Sequence, residues 1–257
     1  WKAYALSPNF PIATGTFEDT ADARPVEWFF ENLLPEGRLR DLIASRDRID
    51  PRDTWALLIR HGQDTAGALS LIPEGFDVAT EEILVPLAKE ALQEKIEESR
   101  TRNLPLMASW EEIRMSLAGA QEKLGLRIDA SGAMFLPEGS APSTHIVKPE
   151  NASADFPHCP ANEFFCMRLA HELKVPVPAV GLLHLPEPLY VIERFDRVPL
   201  DKSAEKMSGR AFGRLHQIDL CQALGVAPSK KYESEGGLGL HHSFGVLRGT
   251  AIDRPIV

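Results

Sequence analysis

The chain has 257 residues, 44% of them hydrophobic and 25% charged, an ordinary soluble globular mixture with room for one large or two small domains. Its 28 Lys and Arg against 37 Asp and Glu give a net charge of −9, which argues against the average surface gripping nucleic acid, though a local basic patch is compatible with it. No apolar run approaches the ~20 residues that cross a bilayer and no signal peptide is visible, so a cytoplasmic protein without membrane contact is expected.

Residues 1–15 are punctuated by proline and read as an extended lead-in. Val26, Phe29, Phe30 and Leu33 share one face of a helix predicted over 25–34, with Pro25 suited to its first turn. A second helix is expected over Leu39–Arg46. Asp53 is placed to cap a third over Thr54–His61, which Gly62 stops. Gly67–Ile72 reads as a strand closed by Pro73. Thr80 is read as the cap of a helix running to about Arg100 and interrupted by Pro86. The charged run Gln93–Glu98 fits a solvated face. Asn103-Leu-Pro105 is the candidate domain boundary, giving an N-terminal region of 1–105 and a second region of 106–257.

Beyond that boundary, strands dominate to Lys148. Ser116-Leu-Ala-Gly-Ala-Gln-Glu-Lys123 is a loop of small residues flanked by polar ones. Leu124–Asp129 alternates as a strand, Ala130-Ser-Gly132 turns, and Ala133–Leu136 returns. Thr144–Val147 is a third short strand, ending on Lys148. An amphipathic helix is expected from Asn162-Glu163, with Phe165, Leu169 and Leu173 in one row. Gly181–Leu185 and Leu189–Ile192 pair across Pro186-Glu-Pro188. Residues 197–214 read as a mobile excursion and Leu215–Leu224 as a helix stopped by Gly225. From Ala227 the chain is rich in Gly, Ser and His, and no internal repeat appears.

The order of these pieces carries more than any one of them. Backbone N–H groups of a tight loop can cradle a polyphosphate. A lysine on a following strand adds a point charge, and a glutamate on the next helix can hold that lysine. Protein kinases bind ATP with these parts in this order. Each piece also has a plain structural account. Ala118-Gly119-Ala120 matches neither GxxxxGK[ST] nor GxGxxG and is by itself a turn. Lys148 ends a strand as solvated lysines do, and Glu163 suits the positive end of a helix. Glu193-Arg-Phe-Asp196 sits where a kinase joins its lobes, with backbone available to an adenine edge and Asp196 to ribose hydroxyls; as plain structure it is a charged strand end. The cysteines Cys159, Cys166 and Cys221 are odd in number, lack a CxxC spacing and read as reduced thiols. With His158 or His241-His242 they make no convincing zinc set.

Several segments in order resemble the HipA family of bacterial serine/threonine kinases, the toxins of type II toxin–antitoxin pairs. Phe29–Glu36 and Ala66–Pro73 are similar to the family's N-terminal region. Ser116–Lys123, Thr144–Lys148, Asn162-Glu163, Glu193–Arg197, Asp219–Gly225 and Lys231-Tyr-Glu233 are similar to its kinase core. The resemblance implies an α+β, bilobal protein-kinase-like fold, incomplete here: an N-terminal accessory region (1–105), then ATP-binding lobe, hinge and the start of the C-terminal lobe (106–257). It implies ATP and Mg2+ as cofactors. Ala118, Gly119, Ala120, Gln121, Glu122 and Lys123 would lie along the phosphates, with Lys148 touching them and Glu163 positioning Lys148. Glu193, Arg194, Phe195 and Asp196 would form the hinge side of the ATP site. Ser116 matches the serine the family autophosphorylates, a modification that would repel ATP from the loop. Implied partners are a HipB-type DNA-binding antitoxin, which would bring the protein to DNA indirectly, and a protein substrate, notably an aminoacyl-tRNA synthetase.

One departure stands against these matches. The family's Asp-x-His-x-x-Asn catalytic loop and later metal-binding aspartate do not occur between Glu233 and Val257. The catalytic aspartate and metal ligands are therefore expected beyond Val257, and with Trp1 in place of Met the chain is expected to be cut at both ends. Two other readings stay open: a catalytically inactive kinase-like module that docks on an antitoxin or sister subunit, and an ATP-dependent ligase or small-molecule kinase.

Overall fold

Helix α1 (Pro25–Glu31) starts on its proline, where the missing N–H costs nothing, and buries Phe29 edge-on against Phe10 at 5.5 Å between ring centroids. It belongs to a computed structural model that describes residues 5–12, 15–75, 82–102, 104, 106, 117–151, 156–208 and 210–250. Contacts divide the chain into two units, Trp1–Leu34 with Gln217–Val257, and Pro35–His216. This grouping is not the linear division at residue 105, because the segment after residue 216 returns to the N-terminal one.

In the first unit α1 meets α7 (Leu220–Leu224) and α7 meets α8 (Leu240–Thr250). Asp219 caps α7 reciprocally with Gln222, so that helix begins at Leu220, not at Leu215 as its apolar pattern predicts. Gln222 also donates to the Phe29 carbonyl at 2.8 Å, and Asn9 donates to that of Ala223 at 2.7 Å. Helix α8 and two short 3-10 turns (Pro228–Lys230 and Glu233–Glu235) occupy the Gly-, Ser- and His-rich stretch.

The second unit holds α2 (Gly37–Asp47), α3 (Thr54–His61), a six-stranded antiparallel sheet and the helices on it. As expected, α3 is capped by Asp53, whose carboxylate accepts from the Ala56 amide at 2.9 Å, and ends at Gly62. Replacing Asp53 by alanine should cost about 1 kcal/mol of unfolding free energy, read from the urea midpoint, because one orphan N–H loses its acceptor.

The sheet has the order β1-β3-β2-β4-β6-β5, from β1 (Glu82–Leu87), β2 (Leu124–Ile128), β3 (Met134–Gly139), β4 (His145–Lys148), β5 (Val180–Leu185) and β6 (Glu187–Glu193). Residues 82–87 were expected to be helical. They instead form an edge strand on β3, the one kind of strand that tolerates Pro86, and α4 (Lys89–Arg102) follows separately. The core lies where Leu92 and Ile96 of α4 meet Leu124, Leu126, Met134, Val147 and Leu189 of the sheet. In the turn between β2 and β3, Asp129 accepts from Ser131 and Ala133, and Gly132 takes φ +82°.

Two further expectations fail for non-local reasons. Gly67–Ile72 is irregular, not a strand. The Thr65 and Gly67 carbonyls are taken by arginine side chains, and the Leu71 amide donates to Gly62. Within 197–214, β7 (Arg197–Pro199) pairs with β8 (Phe212–Arg214), and α6 (Lys202–Ser208) lies between them in the chain. Helix α5 (Cys159–Glu172) lies against β5 and β6. It starts before Asn162, at a left-handed His158, and leaves Phe165, Leu169 and Leu173 exposed at 64%, 48% and 68%. Among the described residues no helix is long and apolar enough to cross a membrane.

Candidate nucleotide site

Side chains alternate along β4, so if Val147 enters the core then Lys148 emerges on the other face. Antiparallel register sets Lys148 opposite Tyr190 of β6, whose ring centroid lies 5.7 Å from the ammonium. On that face Lys148 Nζ meets Glu163 Oε2 of α5 at 2.6 Å, a part-buried ion pair with side chains 20% and 29% exposed. Burial, aided by the Glu163 charge, pushes the Tyr190 phenol up to about 12, so it stays neutral beside the pair. Glu150 accepts from the Cys159 amide at 3.1 Å, using the anion-favouring end of α5.

Beside Glu163 opens a cavity of about 360 Å³, lined by Ala120, Gln121, Asn151, Cys159 and Asn162 among others. The loop on its rim, Leu117–Lys123, leads directly into β2, which pairs with β3 and β4. It is held from inside. Lys123, nearly buried, donates to the Ala118 carbonyl at 2.7 Å, and Gly119 takes φ +108° with its α-carbon close over that ammonium. A methyl group at Gly119 would stand 2.9 Å from Lys123 Nζ. Glu36 donates its amide to the Gly119 carbonyl at 3.3 Å. Burial pushes the Glu122 carboxyl up, while its bonds from the Leu106 amide and Ser99 hydroxyl pull the other way. Of the loop residues, then, Ala120 and Gln121 line the cavity, while Glu122 and Lys123 are engaged with their own support. Ser116 lies outside the described residues.

The strand end after β6 separates backbone from side chains. The amides of Glu193 and Arg194 are used inside the sheet, donating to Ala179 and Thr144 at 2.9 and 2.8 Å. Among the described residues, no partner is seen for the Glu193 carbonyl or the Phe195 amide, and the Phe195 ring is 67% exposed. Arg194 and Asp196 point the opposite way and are 3% and 2% exposed. Asp196 is bound bidentately by Arg194 at 2.9 and 2.8 Å, accepts from the Gly67 amide at 2.7 Å, and meets Arg197 at 3.0 Å. Burial alone would raise its carboxyl, but those arginines hold it below the usual carboxylate range. The expectation that Asp196 reaches ribose hydroxyls is therefore corrected: both its oxygens are sealed inside an ion cluster.

That cluster is what reading the sequence missed. Asp64 binds Arg197 at 2.7 Å and the Ser143 hydroxyl at 2.6 Å, with Arg194 and Arg214 at 3.6 and 3.4 Å. No local signal marks Asp64, whose partners lie far along the chain. Among the described residues no group of three or more His, Cys, Asp or Glu is placed to hold a metal.

The chain is also similar to known proteins. A family model for the HipA-like C-terminal domain matches residues 115–255, and one for the HipA N-terminal domain matches residues 1–72. A putative kinase, Y4mE, of Sinorhizobium fredii is 38% identical over 249 residues, covering 95% of this chain and 56% of that protein. The serine/threonine-protein kinase toxin HipA of Shewanella oneidensis is 34% identical over 240 residues, 93% of this chain and 51% of the relative. A solved complex of Shewanella oneidensis HipA, HipB and operator DNA matches with TM-score 0.70 and 33% identity, over 96% of this chain and 55% of that one. The chain thus spans about half the length of the curated relatives it matches, at 56% and 51%. With both domain models matched in order and the fold shared, the chain belongs to the HipA family.

Proposed function

We propose that this chain carries the nucleotide-binding part of a HipA-type serine/threonine protein kinase. The observation that carries the reading is the 2.6 Å pair between Lys148 and Glu163 beside the cavity rimmed by Ala120 and Gln121. A carboxylate that fixes a lysine amine in one position prepares a cation for phosphate oxygens without spending its charge on a buried bridge. The unpartnered acceptor at Glu193 and donor at Phe195 fit the edge of an adenine, and Ala120 and Gln121 fit the phosphate end. ATP bound there would supply the γ-phosphoryl group. The chain's own residues orient the base and phosphates; among the described ones no group of three or more His, Cys, Asp or Glu converges, so magnesium ligands are not assigned to them.

In the full-length protein the transfer would join a Ser or Thr oxygen to the γ-phosphorus and release ADP. The named relative, a serine/threonine kinase toxin, supports a protein hydroxyl as acceptor, and a translation component such as an aminoacyl-tRNA synthetase is the proposed class. Self-phosphorylation at Ser116 would place a dianion beside the loop and switch binding off. The complex of a relative with HipB and operator DNA supports a HipB-type antitoxin as partner, with DNA reached through it. Full-length protein given γ-labelled ATP and a mixture of aminoacyl-tRNA synthetases should yield labelled protein, itself included. Unlabelled protein throughout, with ATP consumed only alongside a metabolite, would contradict the assignment.

A further inference from the structure

The Glu193–Phe195 edge is not held by the sheet alone. Strand β6 ends at Glu193 and β7 begins at Arg197, and the side chains of Arg194, Asp196 and Arg197 all turn inward between them. There they meet one short segment. Arg194 donates to the Thr65 carbonyl at 2.8 Å and to the Ser143 hydroxyl at 2.8 Å. Asp196 accepts from the Gly67 amide at 2.7 Å, and Arg197 donates to the Gly67 carbonyl at 2.9 Å and to Asp64 at 2.7 Å. Residues 64–67, in the stretch matched by the N-terminal family model, thus act as a bracket on a strand end more than a hundred residues away.

A buried ion cluster is a poor way to gain stability, because desolvating its charges offsets most of their attraction. What it does supply is fixed geometry: bidentate guanidinium–carboxylate pairs tolerate little displacement. The backbone so fixed is the pair left open, an acceptor at Glu193 and a donor two residues on at Phe195. That order matches a 6-aminopurine, which offers N–H then N, and mismatches a 6-oxopurine, which offers oxygen then N–H.

We infer that the bracket formed by Asp64–Gly67 and Ser143 on Arg194, Asp196 and Arg197 is a positioning device that sets adenine-over-guanine selectivity at the strand end. This rests on the nucleotide reading above. Arg194 and Asp64 are positioning residues in it, since neither side chain reaches the base edge.

The test measures dissociation constants of full-length protein for ATP, GTP and inorganic tripolyphosphate, with thermal midpoints alongside. Arg194→Lys keeps the charge but loses the fork. It should loosen ATP about 10-fold, the scale of one well-made hydrogen bond, while GTP and tripolyphosphate stay within about twofold. Ser143→Ala removes a single hydroxyl from the same bracket and should move the ATP-to-GTP ratio in the same direction if Arg194→Lys fails to fold. Equal loosening of all three ligands, or an unchanged ATP-to-GTP ratio in both folded variants, overturns the inference. Lys148→Ala is the control for the site itself and should loosen all three ligands. If wild-type protein binds none of them, the nucleotide reading fails first, and the two failures are told apart.

Discussion

Replacing Lys148 by alanine is expected to weaken ATP binding to the full-length protein about 10- to 100-fold, the range of one charge-assisted hydrogen bond of about 1.5–3 kcal/mol. Phosphoryl transfer should fall at least as far. The fold should survive, because the Lys148–Glu163 pair is part-exposed and such pairs contribute only about 0–1 kcal/mol. Isothermal titration beside a thermal melt separates the two effects. Glu163→Gln leaves the cation and removes its tether, so a smaller loss is expected. An unchanged ATP affinity in folded Lys148→Ala protein would remove the main support for the site.

The largest stability effect is expected at Asp64. Its buried carboxylate faces Arg194, Arg197 and the partly buried Arg214, and accepts from the Ser143 amide and hydroxyl. Asp64→Ala leaves those guanidiniums against Asp196 as the remaining carboxylate of the cluster, and breaking a buried pair in this way costs about 3–5 kcal/mol. Urea unfolding of the variant should show it as a lowered midpoint. Acid should act on the same cluster. Burial pushes the Asp64 carboxyl up, but the charges of Arg194, Arg214 and Arg197 and the Ser143 bond outweigh it and hold it down, as happens at Asp196. A carboxylate depressed in the folded state contributes its full stability above the unfolded value of about 4 and loses it as pH falls toward the folded value. Wild-type protein should therefore lose stability on acidification below about pH 4, and Asp64→Asn should lose less over the same range.

Local chemistry was the legible part of this chain. Asp53 and Gly62 bound α3 in the sequence as they do in the fold, because a cap is decided within a few residues. The β2–β3 hairpin was readable from alternation and Gly132, and the Lys148–Glu163 pair from strand-then-helix order. Long-range partners hid the rest. Thr65 and Gly67 lose strand character to Arg194 and Arg197, residues no local window contains. Pro86 looked like a helix interruption, and only the place of β1 at the end of the order of described strands makes it an edge-strand proline. Asp196 looked like a ribose ligand because an acidic residue after a strand has no visible reason to turn inward; Gly67 and Arg194 are that reason. Residues 197–214 looked mobile from their polarity, yet Arg197 and Arg214 spend that polarity on Asp64.

The central claim is that a nucleotide base lies against the Glu193–Phe195 backbone with its phosphates toward Lys148. Photolysis of full-length protein with 8-azido-ATP, followed by peptide mapping, tests it most directly. Label suppressed by excess ATP should fall on the peptide carrying Glu193–Asp196 and on neighbours of the Leu117–Lys123 loop. ATP-suppressible label confined to peptides remote from both segments would contradict the account.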